Sequence, residues 1–262
     1  MRYNARRKEL GQNFLTNRQV AKIEAAHAAG KNVIELGPGL GILTEELCRL
    51  ANRVVAVEID PILCNDLRLR IEASNLKLIN KDFFKATAEE LELGSMDIMI
   101  ANVPYKLSSK VVDFLSKNEL QAVLCLQKEF VEHMLAKPGT RKYSRLSVTA
   151  QLSFSMTKIA NVSKGSFKPV PKVDSSVVYM KPKARLGPDE AKLISMIMQH
   201  KKKTLKNAIQ EAAESAGFAK DRAAAIAEDI SGAMRDERAF KLSPEQLLEI
   251  ARRISKAMYQ KE

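Results

Sequence analysis

The chain has 262 residues, is 45% hydrophobic, and carries a formal charge of +12 from 43 Lys and Arg against 31 Asp and Glu. That length suits one large domain or one domain with an appendage, and that apolar share supports a sizeable core. No stretch approaches the roughly 18 apolar residues of a membrane span, no apolar run follows the basic start "MRYNARRKELGQNFL", and Cys48, Cys64 and Cys125 lie far apart without a C-x-x-C, so a spanning segment, a secretory leader, a disulfide framework and a metal site are not expected. Reduced core thiols in a cytoplasmic protein are the plain reading.

In chain order, short apolar runs alternate with helical patterns. "NVIEL" (Asn32–Leu36) reads as a strand and "LGILTEELCRLA" as an amphipathic helix. "RVVAVEI" (Arg53–Ile59) is a strand, followed by the helix "PILCNDLRLRIEA" with Pro61 near its start. "LKLIN" (Leu76–Asn80) and "MDIMIA" (Met96–Ala101) are strands, the second leading to a helix around Ser108–Leu115. "LQAVLCLQ" (Leu120–Gln127) is another strand, and "KEFVEHMLA" a helix after it. Such alternation predicts an α/β domain with a mostly parallel sheet covered on both faces. "SVTAQLSFSM" and "SSVVYMKP" are β-rich with no clear helix between them, and predict an antiparallel edge. Pro182, Gly187 and Pro188 then punctuate a linker, beyond which the chain has helical periodicity to its end. The expected organisation is a domain over residues 1–183 and a small all-α domain over 184–262.

Charge is concentrated. Lys137 to Arg185 holds eleven Lys or Arg and one acid, Asp174, while the stretch from Leu186 is nearly balanced. A basic segment of this kind points to a polyanion, and nucleic acid is the expected partner. Arg141, Lys142 and Arg145 are the candidate RNA contacts. "HKKKTLKN" (His200–Asn207) is a second basic stretch, readable as an RNA contact, an interdomain face or a solvated run.

In a doubly wound sheet, ligands sit outside the carboxyl ends of the strands. Gly37, Gly39 and Gly41 follow the first predicted strand, Glu58 ends the second, Asp82 follows the third and Asn102 the fourth. Each is about one β-α unit from the next, so all should open on one crevice. Glycines admit a ligand to the backbone. Glu58 can accept both ribose hydroxyls, and Asp82 can accept from a purine amine. The loop "ELGPGLG" departs from the G-x-G-x-x-G of dinucleotide sites. Glu35 beside it disfavours a pyrophosphate and suits a cation, which points to S-adenosylmethionine. Glu35 itself reads as a structural hydrogen-bonding group rather than a catalytic one. Of Phe83 and Phe84, one is expected beside the cofactor adenine and the other in the core.

"NVPY" (Asn102–Tyr105) stands at the tip of the fourth strand. An adenine amine is a poor nucleophile because its lone pair is delocalised into the ring. The Asn102 amide oxygen and the Val103 carbonyl can accept its two N–H bonds and favour a pyramidal nitrogen. Pro104 would hold the turn, and Tyr105 would stack on the base. Catalysis would rest on proximity and preorganised acceptors.

These residues resemble a known family. "NVPY" is similar to the N-[LI]-P-Y motif of rRNA adenine dimethyltransferases, the KsgA and Erm group, with Val103 as the one departure. "KELGQNFL", "VIELGPGLGILT", "VVAVEID", "KDFF" and "FKPVPKVDSSVV" resemble that group in order, over about residues 6–181, and "HKKKTLKNAI" and "LSPEQLLEIA" extend the similarity. The resemblance implies a Rossmann-like methyltransferase domain. It implies that Gln12, Asn13 and Leu15 touch the methionine end of the cofactor. It further implies that Phe167, an aromatic between Pro-containing basic turns, stacks on the target adenine opposite Tyr105. The implied substrate is two adjacent adenosines near the 3′ end of small-subunit rRNA, in a preribosomal particle. The expected source is archaeal and the expected state monomeric. An Erm-type enzyme acting on large-subunit rRNA, a non-catalytic RNA-binding assembly factor and, more distantly, a nicotinamide dehydrogenase stay open at this point.

Overall fold

The computed structural model describes residues 13–183 and 186–259. Contacts divide the chain into two compact units. One is the chain up to Val131 with Met156–Pro182, and the other is Glu132–Ser155 with the chain from Lys183 on. The second crossing falls between Pro182 and Lys183, and the helical unit also includes Glu132–Ser155.

The first unit is built on a seven-stranded sheet of order β4-β3-β2-β5-β6-β9-β7. Its strands are β2 (Asn32–Leu36), β3 (Arg53–Glu58), β4 (Leu76–Asn80), β5 (Ile98–Asn102), β6 (Gln121–Gln127), β7 (Phe154–Val162) and β9 (Ser175–Pro182). β4, β3, β2, β5 and β6 run parallel, and β9, from "SSVVYMKP", is antiparallel to β6, with β7 outside it at the edge. β1 (Phe14–Leu15) pairs antiparallel with β8 (Phe167–Lys168) in a separate two-stranded ribbon.

The parallel strands are buried on both sides. Val33, Val54, Ala56, Ile98, Ile100 and Val123 pack with α1 (Arg18–Ala25) and α2 (Ile42–Leu50) through Val20, Ala21, Leu43 and Leu47. The alternate positions Ile34, Val55, Val57, Met99 and Leu124 are equally buried, and α3 (Pro61–Arg70) and α4 (Ser108–Asn118) pack against β3, β4 and β6. Burying a side chain of this size contributes about 1.5–3 kcal/mol, so continuous apolar runs are what such strands require. The helices start where polar side chains can accept their first N–H groups: Asn17 accepts from Gln19 and Val20, and Asp60 from Ile62.

Strand order reverses between β2 and β5. From β2 the chain winds outward through β3 and β4, and from β5 the other way to β6. The crevice at their carboxyl ends is a topological switch point. It places the glycine loop after β2 opposite Asn102 at the end of β5.

The second unit contains α6 (Arg145–Ser153), α7 (Pro188–Gln199), α8 (Leu205–Ser215), α9 (Lys220–Ser231) and α10 (Pro244–Tyr259), following α5 (Lys128–Met134), which leads into it. The expectation of β-structure over "SVTAQLSFSM" fails here. Ser147–Ser153 is helical and only Phe154 onward is strand. The β-branched Val148 and Thr149 misled the pattern. Ser147 Oγ accepts from Ser144 N at 2.9 Å and donates to the His133 carbonyl at 2.6 Å, fixing the helix start. Val148 then packs into the helical core with Tyr143, Ile194 and Ile250. Tyr143 is fully buried, and its hydroxyl donates to the Leu242 carbonyl at 2.9 Å. No helix among the described residues is long and apolar enough to cross a membrane.

Candidate active site

A cavity of about 300 Å³ opens at the switch point of the first unit. Asn13, Leu15, Gly37, Gly39, Glu58, Asp82, all four residues of Asn102–Tyr105, and Phe167 line it. The four strand tips therefore converge as their spacing suggests. Gln12 lies outside the described residues. Gly41 does not line the cavity, although Leu40 and Ile42 on either side of it do; it is the left-handed N-cap of α2.

The loop after β2 turns through three left-handed glycines, Gly37, Gly39 and Gly41, at φ of 70°, 59° and 82°. A Cβ on Gly39 would stand 2.8 Å from the Phe14 ring, and one on Gly41 2.5 Å from Leu67 Cδ2. Only glycine fits these two positions. Gly37 donates its N–H to the Val57 carbonyl at 2.9 Å, which ties the loop to β3.

Glu58 is 1% exposed. Its Oε2 accepts from Gly39 N at 3.0 Å and its Oε1 from Asp60 N at 2.9 Å. A carboxylate has about four acceptor positions, so both oxygens keep capacity for ligand hydroxyls while the backbone holds them in place. Burial pushes its pKa up, against the opposing pull of those N–H groups. Asp82 Oδ1 accepts from Phe84 N at 3.0 Å and caps the short helix Phe83–Lys85. Phe83 is buried against Phe84 and Phe114, while Phe84 is half-buried with Lys110 Nζ 4.1 Å above its ring. Both rings line the cavity, so the division into one core and one pocket residue is not a clean one.

At the tip of β5, the Nδ2 group of Asn102 is buried with no hydrogen-bond partner among the described residues. Val103 N donates to the Cys125 carbonyl at 3.2 Å, which fixes the peptide, and no described group donates to its own carbonyl. Pro104 accepts from Leu107 N at 2.8 Å, and Tyr105 opens a short helix over Tyr105–Leu107. The Tyr105 hydroxyl shares a hydrogen bond with Ser175 Oγ at 2.9 Å, and burial pushes its pKa up. Ser175 has no place in the sequence expectations. It lies inside "FKPVPKVDSSVV", and its partner across the sheet is visible only once β9 is placed.

Phe167 does not stand out among basic side chains. It is 2% exposed, packs with Leu15 and Val20, and meets the cavity as part of its wall. The register that places it there pairs Leu15 with Phe167.

Two further acids complete the site. Glu35 is 1% exposed, lines the cavity, and its Oε2 has no partner among the described residues. Glu24, on α1, is fully buried with both carboxyl oxygens in the same condition. Sequence reading passes over Glu24, although it falls four residues after Val20 on the stripe that α1 buries.

Arg141, Lys142 and Arg145 lie in the second unit and are exposed. Lys142 pairs with Glu132, and Arg145 Nη1 donates to Ser195 Oγ at 3.3 Å. The basic stretch at His200 is also largely paired. His200 and Lys203 meet Glu211, and Lys206 meets Glu228.

The residues fit a nucleoside with a cationic tail. Glu58 suits a ribose, Asp82 an amine of a purine, and Glu35 a positive charge. A Cβ on Gly37 would meet nothing within 4 Å, so this edge of the cavity is open backbone. The comparisons agree. A family model described as ribosomal RNA adenine dimethylase matches residues 3–256. A probable ribosomal RNA small subunit methyltransferase A from Thermococcus kodakarensis is 38% identical over 93% of this chain and 88% of its own. A ribosomal RNA small subunit methyltransferase A from Mycoplasmopsis pulmonis is 36% identical over 77% and 82%. Among solved structures, a dimethyladenosine transferase from Plasmodium falciparum has a TM-score of 0.80 at 28% identity, covering 93% of this chain and 98% of that one. The 23S rRNA methyltransferase ErmE has a TM-score of 0.62 at 26% identity, covering 93% and 100%. With a match over nearly its whole length and a cavity of the corresponding chemistry, the chain belongs to the ribosomal RNA adenine dimethylase family.

Proposed function

We propose that the protein methylates the exocyclic amines of two adjacent adenosines near the 3′ end of small-subunit rRNA, acting as a monomer on a preribosomal particle in the cytoplasm. The observation that carries this reading is the pair of acceptors that the end of β5 sets on the cavity wall, the Asn102 Oδ1 and a Val103 carbonyl that no described group satisfies. A buried amide costs about 1–3 kcal/mol when unpaired. The buried Asn102 Nδ2 is a donor, so an acceptor on a ligand, not the N–H bonds of the target amine, would complete it.

S-adenosylmethionine, when bound, supplies an electrophilic methyl group. Asn13, Leu15 and the Gly37 loop would hold its methionine end, Glu58 its ribose and Asp82 its adenine amine. The Asn102 Oδ1 and the Val103 carbonyl would accept the two N–H bonds of the target adenine and favour a pyramidal nitrogen whose lone pair is free for transfer. The bond of Val103 N to Cys125 keeps that carbonyl from turning away. Ser175 fixes the Tyr105 ring through its hydroxyl, so one face is presented to the base, and Phe167 closes the wall. After transfer the nitrogen is acidic and loses its proton to water. No strong base is required, and none stands at the tip. Arg141, Lys142 and Arg145 would contact phosphates, with Arg141 the most available.

The small-subunit names of the Thermococcus and Mycoplasmopsis relatives favour small-subunit over large-subunit RNA. Methyl transfer from labelled S-adenosylmethionine to undermethylated small subunits tests this, with large subunits in parallel and nucleoside analysis of the product. Dimethyladenosine in the small subunit is the expected result. Label confined to the large subunit overturns the assignment of substrate, and bound particle without label overturns the assignment of activity.

A further inference from the structure

Four carboxyl groups lie at or behind one cavity, and Glu58 and Asp82 are held by backbone donors. Glu35 and Glu24 are not. Glu35 reaches the cavity wall with one oxygen unpartnered, and Glu24 sits behind it with both oxygens unpartnered. The groups that face Glu35 are Glu24 from α1, Cys48 and the Thr44 hydroxyl from α2, and Glu58 from β3. Those that face Glu24 are Glu35 and Cys125 from β6. None of these is a cation, and the lysines that line the cavity, Lys81, Lys106 and Lys110, are not among the groups that act on Glu35. The donors nearest the two acids, the Thr44 hydroxyl at Glu35 and the Cys125 thiol at Glu24, are neutral and only partly oppose the effect of burial; a buried carboxylate without a counter-charge is strongly disfavoured, so such a group holds its proton. A positive charge entering the cavity reverses this for the acid it can reach.

We propose that Glu35 is a proton-releasing counter-ion: it is protonated before the cofactor binds and ionises when a cationic group of the cofactor is seated, while Glu24 stays protonated behind it. This rests on the reading of the cavity as an S-adenosylmethionine site. The balance is simple. The Glu35 carboxylic acid and the ligand cation give a carboxylate–cation pair and one proton delivered to solvent. The order of the two acids follows from position. Glu35 lines the cavity and Glu24 does not. Burial pushes Glu35 up to about 8, with the charge of Glu58 adding to it. Burial also pushes Glu24 up to about 8, and there the charge of Glu35 adds. Ionising Glu35 therefore holds Glu24 neutral more firmly.

The consequence is a cofactor affinity that depends on pH. A cation stabilises ionised Glu35, so affinity rises by up to about tenfold per pH unit below about 8; above it affinity levels where the sulfonium is the charge and falls where it is the ammonium, which loses its proton near the same pH. The charge it answers can be the ammonium or the sulfonium, and ligands separate the two.

The experiment is titration calorimetry of the full chain near neutral pH, in buffers of differing ionisation enthalpy. S-adenosylmethionine should release about one proton per ligand bound. Methylthioadenosine, which keeps the adenosine and the sulfur but has neither cation, should release none. S-adenosylhomocysteine retains only the ammonium. Release with it assigns the ammonium, and no release assigns the sulfonium; both results uphold Glu35 as counter-ion. Glu35→Gln should bind without proton release, and Glu24→Gln should release as the unaltered protein does. A proton lost with Glu24→Gln instead, no proton from S-adenosylmethionine, or equal release from methylthioadenosine overturns the proposal. If Glu35→Gln does not fold, equilibrium dialysis of the unaltered protein from about pH 6 to about pH 9 decides: a flat affinity overturns it. Absence of any S-adenosylmethionine binding would remove the cofactor reading as well, whereas binding without a proton removes this inference alone.

Discussion

Five residues keep a buried side-chain polar atom without a partner among the described residues: Glu24, His27, Glu35, Thr44 and Asn102. Two of them, Glu35 and Asn102, line the cavity. Replacing Asn102 with Ala removes an acceptor used when the amine turns pyramidal. Turnover should fall by about 10²–10³ with cofactor affinity changed less than about tenfold. Single-turnover rates beside a binding isotherm check this, and near-normal turnover would refute the role. Glu24 makes a different prediction. An acid whose folded pKa is raised keeps its proton longer in the fold than in the unfolded chain. Between about 4.5 and about 8 the folded chain thus binds more protons, and stability falls as pH rises through that window. Glu24→Gln should flatten the slope of melting temperature against pH, gaining several degrees on the unaltered protein at the alkaline end and little at the acid end. Parallel slopes would show that Glu24 does not titrate there. That Asn102, Glu58 and Asp82 meet at one crevice was legible because the first two end strands and Asp82 follows one by two residues. Glu24 was not, because an acid within a helix ordinarily reads as surface, and only packing of α1 on the sheet buries it. Phe167 was half legible: its place at the site followed from the resemblance, but its burial depends on a pairing with Leu15 that spans most of the first unit's sequence.

Elements carry the next level of control. The loop between β2 and α2 holds glycines of unlike kind. Gly41 has a left-handed φ and a leucine methyl 2.5 Å from where a Cβ would stand, while Gly37 has a similar φ and nothing within 4 Å. Gly41→Ala should therefore destabilise the protein by about 2–4 kcal/mol, from strain plus overpacking. Gly37→Ala should cost about 1–2 kcal/mol from strain alone, yet weaken the cofactor more, because its new methyl group stands at the cavity. Thermal melts and cofactor titrations of the two variants separate these effects; identical profiles would contradict the contrast. The parallel strands β2 to β6 were legible since buried strands read as unbroken apolar runs. The helix α6 was not. Its composition favours strand, and its stability comes from contacts with α7 and α10, which are distant in sequence and override local preference.

At the scale of the whole molecule, charge and connectivity matter most. If Arg141, Lys142 and Arg145 meet phosphates, neutralising them should weaken RNA binding and reduce its salt slope by up to about 0.9 per contact. Arg141 should account for the largest share, since Lys142 and Arg145 are engaged with Glu132 and Ser195. An unchanged slope would place RNA elsewhere. The expected division at residue 183 followed a real change in composition, but composition cannot reveal that Glu132–Ser155 returns to the helical unit. That return has a consequence for how the chain is made. During synthesis the first unit has all its strands once Pro182 has emerged, yet it then carries a loop whose Ala136, Tyr143 and Val148 belong to a core completed only by residues as late as Ile254. At about 5–20 residues per second, those apolar side chains wait on the order of 4 to 14 seconds for their partners. The nascent protein thus passes through an interval in which the sheet can be finished while a sticky insert stays uncovered, and a ribosome that pauses in this last stretch prolongs the period when chaperones have something to hold.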